Sequence, residues 1–257
     1  MSNIVLPLSV SIIAKDEEEN IGRCLSSLGD IANEIILIHN DCTDKTVEVA
    51  ESFGAKFIEQ EWSGHIAQKN FAIKKCSEDW ILCLDADEAL SDELRLSIIN
   101  FLQINSEENP YIAASFNRCT FFLKQWIRYG DWYPDRKIRL IRKGNAHWDG
   151  INPHDKLSLL KKGGVCFLEG DLEHFSFRNI RDLVVKSIFY SDIFLERDIK
   201  NYRANLFFII FRCLWRFIRC YLLKLGFLDG SRGFIVACYV SFETFLKHTR
   251  MWELSKD

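Results

Sequence analysis

The sequence predicts an α/β protein: a wound, mostly parallel sheet of nucleotide-binding type, followed by a helical, amphipathic C-terminal extension. Three observations carry that expectation. Through the first hundred residues, short apolar runs that end in polar turns alternate with helical patterns, the β-α-β-α-β-α-β order of a parallel sheet. The fourth run, Trp80-Ile81-Leu82-Cys83-Leu84-Asp85-Ala86-Asp87-Glu88, passes directly from large apolar side chains into three carboxylates. A buried strand that ends at a ligand reads this way. From about Asn179 onward the pattern is helical.

The chain has 257 residues, 48% of them hydrophobic, with 20 Phe and 7 Trp, enough for a sizeable core. A net charge of -3 gives no signal for nucleic acid. Nine cysteines without a C-x-x-C pair point to free thiols in a reducing compartment. No secretory signal and no spanning helix are expected.

Ser9–Ala14 is the first strand, and it runs into Lys15-Asp16-Glu17-Glu18-Glu19-Asn20. Ile21, Cys24, Leu25 and Leu28 then recur on one helical face that Gly29 terminates. Glu34–Ile38 is the second strand, followed by the polar turn 39–44 and a helix ending near Gly54. Lys56–Ile58 is a short third strand, and Ile66–Lys75 a helix leading to the strand that ends at Asp85. Ser91 has the chemistry of an N-cap, with Asp92 and Glu93 in the first turn. Residues 111–175 mix strand-like pieces (Tyr111–Phe116, Lys137–Ile141, Gly164–Leu168) with loops rich in Trp, Gly, His and Asp. The expected organisation is one domain over 1–178, with a nucleotide-binding half (1–110) and an acceptor-side half (111–178), then a helical extension over 179–257.

Asp85 and Asp87 form a D-x-D pair. Their hard oxygens suit Mg²⁺ or Mn²⁺, and Mg²⁺ usually shares its shell with substrate phosphates. The other reading of these acids is a solvated loop capping the next helix.

The segment Ser9–Ile21, the turn ending Thr43-Asp44-Lys45-Thr46, and Leu84-Asp85-Ala86-Asp87-Glu88 together resemble glycosyltransferase family 2, with its GT-A fold. Tyr133-Pro134-Asp135, Arg139–Gly144, Pro153-His154-Asp155-Lys156-Leu157, Gly170–Phe175 and Gly226–Gly230 resemble one branch, the lipopolysaccharide core β-1,4-glucosyltransferases. Two positions depart from that branch. His39 stands where the second strand usually ends in a carboxylate, with Asp41 displaced by two. Asp155 stands where the branch has Glu. The resemblance implies inverting, metal-dependent transfer of glucose from UDP-glucose to a lipid-linked saccharide such as the lipopolysaccharide inner core. It also implies a cytoplasmic enzyme peripheral to the inner face of the membrane.

Such a reaction needs a nucleotide grip, neutralisation of the departing diphosphate, and a base for the acceptor hydroxyl. Asp85 and Asp87 are the metal candidates, and Asp85 and Ala86 also line the donor. Lys15, Asp16 and Glu17, with Asn40 and Asp41, are placed to enclose base and ribose; the alternative is helix capping, for which Asn20 and Thr43 are good types. Lys69 is a candidate phosphate contact. Arg139 and Arg142 are candidates to face the diphosphate; the alternative is a solvated strand face set by alternation. Asp155 is the candidate general base, with His154 orienting it or doing the work itself. His174 resembles the family's late histidine, a metal or diphosphate contact; the other reading is a partly buried histidine satisfied by the protein.

In the tail, Asn205, Arg212, Arg216 and Arg219 share one narrow helical face, while the residues between them are nearly all apolar. This reads as an in-plane anchor, with Arg meeting lipid phosphates and Trp215 and Tyr221 at the interface. The other reading is a helix packed on the protein. Two further functions compete with sugar transfer. A nucleotidyltransferase would want a Gly-rich basic loop where Lys15–Glu19 is acidic, and a nucleotide-sugar-binding scaffold would show no turnover.

Overall fold

The structure, a computed structural model, describes residues 6–104, 109–151, 154–177, 179–198 and 205–254, without the side chains of Ile151, His154, Tyr190, Phe194 and 196–198. Two compact units are distinguished. One comprises Met1–Arg118 and Arg136–His174, the other Cys119–Asp135 and Phe175–Asp257.

The first unit opens with β1 (Leu8–Ala14), α1 (Glu18–Leu28), β2 (Glu34–His39), α2 (Thr46–Ser52), β3 (Lys56–Glu59), α3 (His65–Lys75) and β4 (Trp80–Asp85). These strands lie in the order β3-β2-β1-β4 and are parallel throughout. The wound parallel sheet expected from the sequence is therefore present. β5 (Glu88–Leu90), α4 (Asp92–Leu102), β6 (Tyr111–Phe122), β7 (Gln125–Ile127), β8 (Asp135–Arg142), β9 (Ala146–Ile151), β10 (His154–Leu159) and β11 (Gly164–His174) follow. Beyond β4 the sheet continues β8-β6-β11-β5, with antiparallel pairing of β4 to β8 and of β11 to β5. β9 and β10 make a separate antiparallel hairpin.

Strand β4 shows why its sequence is a continuous apolar run. Trp80, Leu82 and Leu84 pack on one face with Ile21, Leu25, Leu94 and Ile98. Ile81 and Cys83 pack on the other with Ala72, Ile73, Trp148 and Leu157. A strand covered on both faces has no polar side to alternate with. Ser91 caps α4 as expected, its Oγ accepting from Leu94 N at 3.2 Å. The start of α1 differs from expectation. Asn20 and Thr43 do not cap; instead Glu17 N donates to Thr46 Oγ1 (2.7 Å) and Glu18 N to Asp44 Oδ2 (2.9 Å). Glu18 returns the bond by accepting from Lys45 N at 3.0 Å. Two helix starts thus satisfy each other's orphan donors. Gly170, with φ 92, lies so close to Leu94 N that a Cβ would not fit.

The second unit holds α5 (Ile180–Asp198), α6 (Leu206–Ile218), a π-helical turn (Arg219–Leu223), a 3-10 turn (Gly226–Asp229) and α7 (Gly230–Leu254). Phe122, Ile127, Leu183, Cys220, Val236, Ala237 and Val240 form its core. The motif Gly226–Gly230 is structural here. Asp229 Oδ2 accepts from Arg128 N (3.0 Å) and Tyr129 N (2.9 Å), and Gly233 packs on Gly226 O where any Cβ would clash.

The arginine stripe is turned differently from the sequence expectation. Arg216 Nε (3.0 Å), Arg219 Nη1 (2.6 Å) and Lys224 Nζ (3.0 Å) converge on the carboxylate of Asp131, which is 3% exposed. Arg212 Nη1 lies 3.1 Å from His248 Nε2. The cations therefore have buried protein partners, and Tyr221 packs among Phe217, Phe227 and Phe234. The outward side of α6 carries large apolar groups: Phe207 is 84% exposed, Phe211 65% and Leu214 59%, with Trp215 beside them and the exposed Arg212 among them. Among the described residues, no helix is long and apolar enough to cross a membrane.

Candidate active site

Strand register brings the candidate loops to one edge. Ile13 pairs with Ile38 on one side and with Asp85 on the other. The ends of β2, β1 and β4 are therefore neighbours, about 4.8 Å apart from strand to strand. On the β1–β2 side, Lys15 Nζ approaches Asn40 O at 3.4 Å, and Asp16 Oδ1 accepts from Thr43 N (2.7 Å) and Thr43 Oγ1 (3.2 Å). Glu17 Oε2 accepts from Asn20 Nδ2 at 2.8 Å. Asp16 (φ 53) and Asp41 (φ 40) adopt left-handed backbone, strained for residues other than glycine and typical of ligand clamps. Asp16, Cys42 and Asp44 hold their ligand atoms within 4.8 Å of one another, but the acids already accept main-chain N–H bonds, so the group staples two loops. His39 lies tilted against Phe57, ring centroids 6.3 Å apart, and its buried Nδ1 has no protein partner.

On the β4 side the charges form one network. Lys69 Nζ, from α3, lies 2.6 Å from Asp85 Oδ1 and 2.7 Å from Asp155 Oδ2. Arg139 Nη2, from β8, donates to Asp85 Oδ2 (2.8 Å) and Glu88 Oε1 (2.7 Å). Glu88, wholly buried, also meets Arg118 at 3.4 Å and accepts from Asp85 N at 3.0 Å. Lys69 and Arg139 both stand over the ring of Trp148, at 4.3 and 5.1 Å from its centroid. Asn70 fixes that ring by bonding both main-chain groups of Trp148, each at 2.8 Å. Burial alone would raise the Asp85 carboxyl, yet Lys69 and Arg139 hold it well below the usual carboxylate range. Burial would likewise depress Lys69, but Asp85 and Asp155 outweigh both burial and Arg139 and leave its pKa raised. At His65, in the first turn of α3, burial and then the Lys69 ammonium lower the pKa, which favours a neutral imidazole.

Next to this network, Asp87 Oδ2 and His174 Nε2 are 3.4 Å apart. The ladder between β5 and β11 sets this pair, because His174 lies opposite Glu88. Two ligands of one divalent ion, each about 2.1 Å from it, stand about 3 Å apart, so a carboxylate oxygen and an imidazole nitrogen at this separation could hold Mg²⁺ or Mn²⁺. Asp85 fits less directly, since both of its oxygens hold cationic side chains. Arg139 Nε, Trp148 Nε1 and His174 Nδ1 are buried without protein partners. Buried donors of this kind suit an anionic, oxygen-rich ligand.

The structure thus brings together Lys69, Asp85, Arg139 and Asp155, with Asp87 and His174 alongside and the buried Ala86 between the two acids. Lys15, Asp16, Glu17, Asn40 and Asp41 form their own cluster at the same sheet edge. Arg142 is not at the site: it pairs with Trp80, the first residue of β4, at the far end from Asp85. Pro153 and the His154 side chain lie outside the described residues. Sequence reasoning assigned no role to Glu88, Arg118, Trp148, Asn70 or His65. Only Glu88 carried a local signal, as the third acid of its run.

A family model described as "Glycosyl transferase family 2" matches residues 9–157. An uncharacterized glycosyltransferase of Rickettsia typhi is 34% identical, over 96% of this chain and 87% of its own. The lipopolysaccharide core biosynthesis glycosyltransferase LpsC of Rhizobium meliloti is 27% identical, over 96% and 93%. Among solved structures, S. aureus TarS aligns over 96% of this chain and 55% of its own, with 12% identity and a TM-score of 0.49.

Proposed function

The chain belongs to glycosyltransferase family 2, and from that premise we propose that it transfers a sugar, with inversion, from a nucleotide diphosphate to a lipid-linked saccharide. The donor in this reading is UDP-glucose, and the acceptor resembles a lipopolysaccharide inner core. The likeness to LpsC supports that acceptor class.

One observation carries the reading: the candidate base Asp155 and the D-x-D residue Asp85 share a single ammonium, that of Lys69, beside the Asp87–His174 pair. Asp87 and His174 would hold Mg²⁺ or Mn²⁺, which when bound supplies positive charge to the departing diphosphate. Arg139 and Lys69 place two more positive charges within reach of the same phosphates. The left-handed turns at Asp16 and Asp41 shape the loops that receive nucleoside, with Lys15, Glu17 and Asn40 around them. Asp155 Oδ2 is fixed by Lys69, and the carboxylate accepts the acceptor hydroxyl proton as the new glycosidic bond forms. The sugar–phosphate bond breaks on the opposite face, and the diphosphate leaves with the electron pair.

The exposed Phe207, Phe211 and Leu214 support peripheral attachment at the inner face of the cytoplasmic membrane, through burial of apolar surface in the lipid interface.

Labelled UDP-glucose, Mn²⁺ and a lipid-linked heptose acceptor test the reaction. The expected product is a labelled glycoside, and absence of transfer from every UDP-sugar tried overturns the reading. Asp87→Asn should abolish Mn²⁺–UDP binding in calorimetry while the chain melts normally; an unchanged titration removes Asp87 from the metal site.

A further inference from the structure

Lys69 is a buried lysine whose ammonium is shared. Its side chain is 9% exposed, and its ammonium meets Asp85 at 2.6 Å, Asp155 at 2.7 Å and the face of Trp148 at 4.3 Å. Two of its three donors go to carboxylates, and its charge rests on the ring face. Its position is set from outside: the next residue, Asn70, ties α3 to β9 through Trp148. Asp85 and Asp155 come from different parts of the chain, one from the end of β4 and one from the β9–β10 hairpin. Among the described ion pairs, Lys69 is the group that touches both.

Two charges meet at this point with opposite needs. A carboxylate oxygen that already accepts from an ammonium at 2.7 Å has that lone pair engaged and is not free to take an acceptor proton there. A departing diphosphate needs cations, and a lysine delivers one as a mobile point charge on a flexible stem. A diphosphate brought beside Asp85 offers Lys69 a stronger anion than a single carboxylate does. Arg139 is less free to move, since Glu88, wholly buried, holds the same Nη2 at 2.7 Å.

We propose that Lys69 is a positioning residue that couples the donor site to the base. Without donor, its ammonium is shared between Asp85 and Asp155 and restrains the base. When the nucleotide diphosphate arrives, the ammonium shifts to the phosphate oxygens and Asp155 is released to accept the acceptor proton. The device links deprotonation of the acceptor to occupancy of the donor site and disfavours idle proton exchange. It rests on the donor-site reading given above.

The test is a double-mutant cycle read by calorimetry with Mn²⁺–UDP and no acceptor, so that it does not depend on turnover. Asp155→Asn removes the competitor for Lys69 and should tighten Mn²⁺–UDP binding about threefold to tenfold in the natural background. In the Lys69→Met background the same change should have no effect. Equal tightening in both backgrounds would mean simple through-space charge and overturns the proposal, as does no tightening in the natural background. If Lys69→Met does not fold, Lys69→Gln, neutral yet able to hydrogen-bond Asp155, takes its place in the cycle under the same criteria. A natural chain that fails to bind Mn²⁺–UDP at all defeats the donor-site reading itself, and the coupling with it. A natural chain that binds, joined to a null cycle, defeats the coupling alone.

Discussion

At the start of β2, Glu34 collects four bonds in a nearly buried position. Oε2 accepts from Ser9 Oγ (2.7 Å), Ser77 N (2.8 Å) and Ser77 Oγ (3.0 Å), while Oε1 meets Lys56 at 3.1 Å. Burial opposes ionisation, but these donors win and bring its pKa down to about 2. A carboxyl lowered in the folded state adds stability above its unfolded pKa of about 4.5 and loses it as pH falls toward 2. That contribution is roughly 3 kcal/mol when complete. Glu34→Gln should therefore lower the melting temperature at pH 7 and flatten its fall between pH 4.5 and 2; parallel melting curves for both chains over that range would refute the assignment. For the chemistry, Asp155→Asn should reduce kcat by roughly a hundredfold or more, as loss of a general base does. Near-native turnover would move the role to another group, with His65 the first to examine. The residues legible in the sequence were those whose signal is local. Asp85 and Asp87 announce themselves where an apolar run meets charge. Trp148 does not, because its importance comes from cations that β8 and α3 deliver across long stretches of chain, and Glu88, though third in the acidic run, gains its role from Arg139 of β8. Arg142 misled for a related reason: only the antiparallel register of β8 reveals that it leaves the site while Arg139 enters it.

Among the elements, α6 shows how a correct pattern can be given the wrong direction. The wheel located the arginines on one face, and they are there. A stripe of cations on a greasy helix has two outlets, lipid phosphate or a buried acid, and Asp131 lies some eighty residues earlier, so no window of sequence holds both. Exposure then decides which face is free. Replacing Phe207, Phe211 and Leu214 by Ser should weaken vesicle binding by roughly ten-thousandfold if all three are fully buried in the lipid, since each large apolar side chain buried is worth about 2 kcal/mol. Because Phe207, Phe211 and Leu214 are uncharged, the part of the binding that they supply should persist at high salt. Replacing Arg216 and Arg219 by Gln should instead lower the melting temperature, leaving Asp131 buried with fewer cations. Co-sedimentation with anionic and neutral vesicles, at low and high salt, separates the two; unchanged sedimentation of the Ser chain would mean that another surface meets the lipid. The strands β1 to β4 were legible because each is a short apolar run with a turn after it. β5 and β7, three residues each, carry too little pattern to be read locally.

For the whole molecule, the division into units does not follow the order of the chain. Residues 119–135 belong with 175–257, so the polypeptide passes from one unit to the other three times. A chain cut after residue 178 would keep Phe122, Ile127 and Asp131 and lose the groups that cover them: Leu183, Cys220, Val236 and Val240 for the apolar residues, and Arg216, Arg219 and Lys224 for the acid. Such a fragment should bind a hydrophobic dye and aggregate, whereas a fragment that stays monomeric and dye-silent would show that 119–135 stands without its partners. The same discontinuity has a meaning in time. During synthesis, α1 to α4 and the parallel strands can assemble as they emerge, while the segment carrying Phe122 and Asp131 must wait for some hundred further residues to be translated. At 5–20 residues per second that wait is roughly five to twenty seconds. For that interval a nascent chain displays an apolar strand end and an unpaired acid, which makes residues 119–135 the stretch where a chaperone would be expected to hold it.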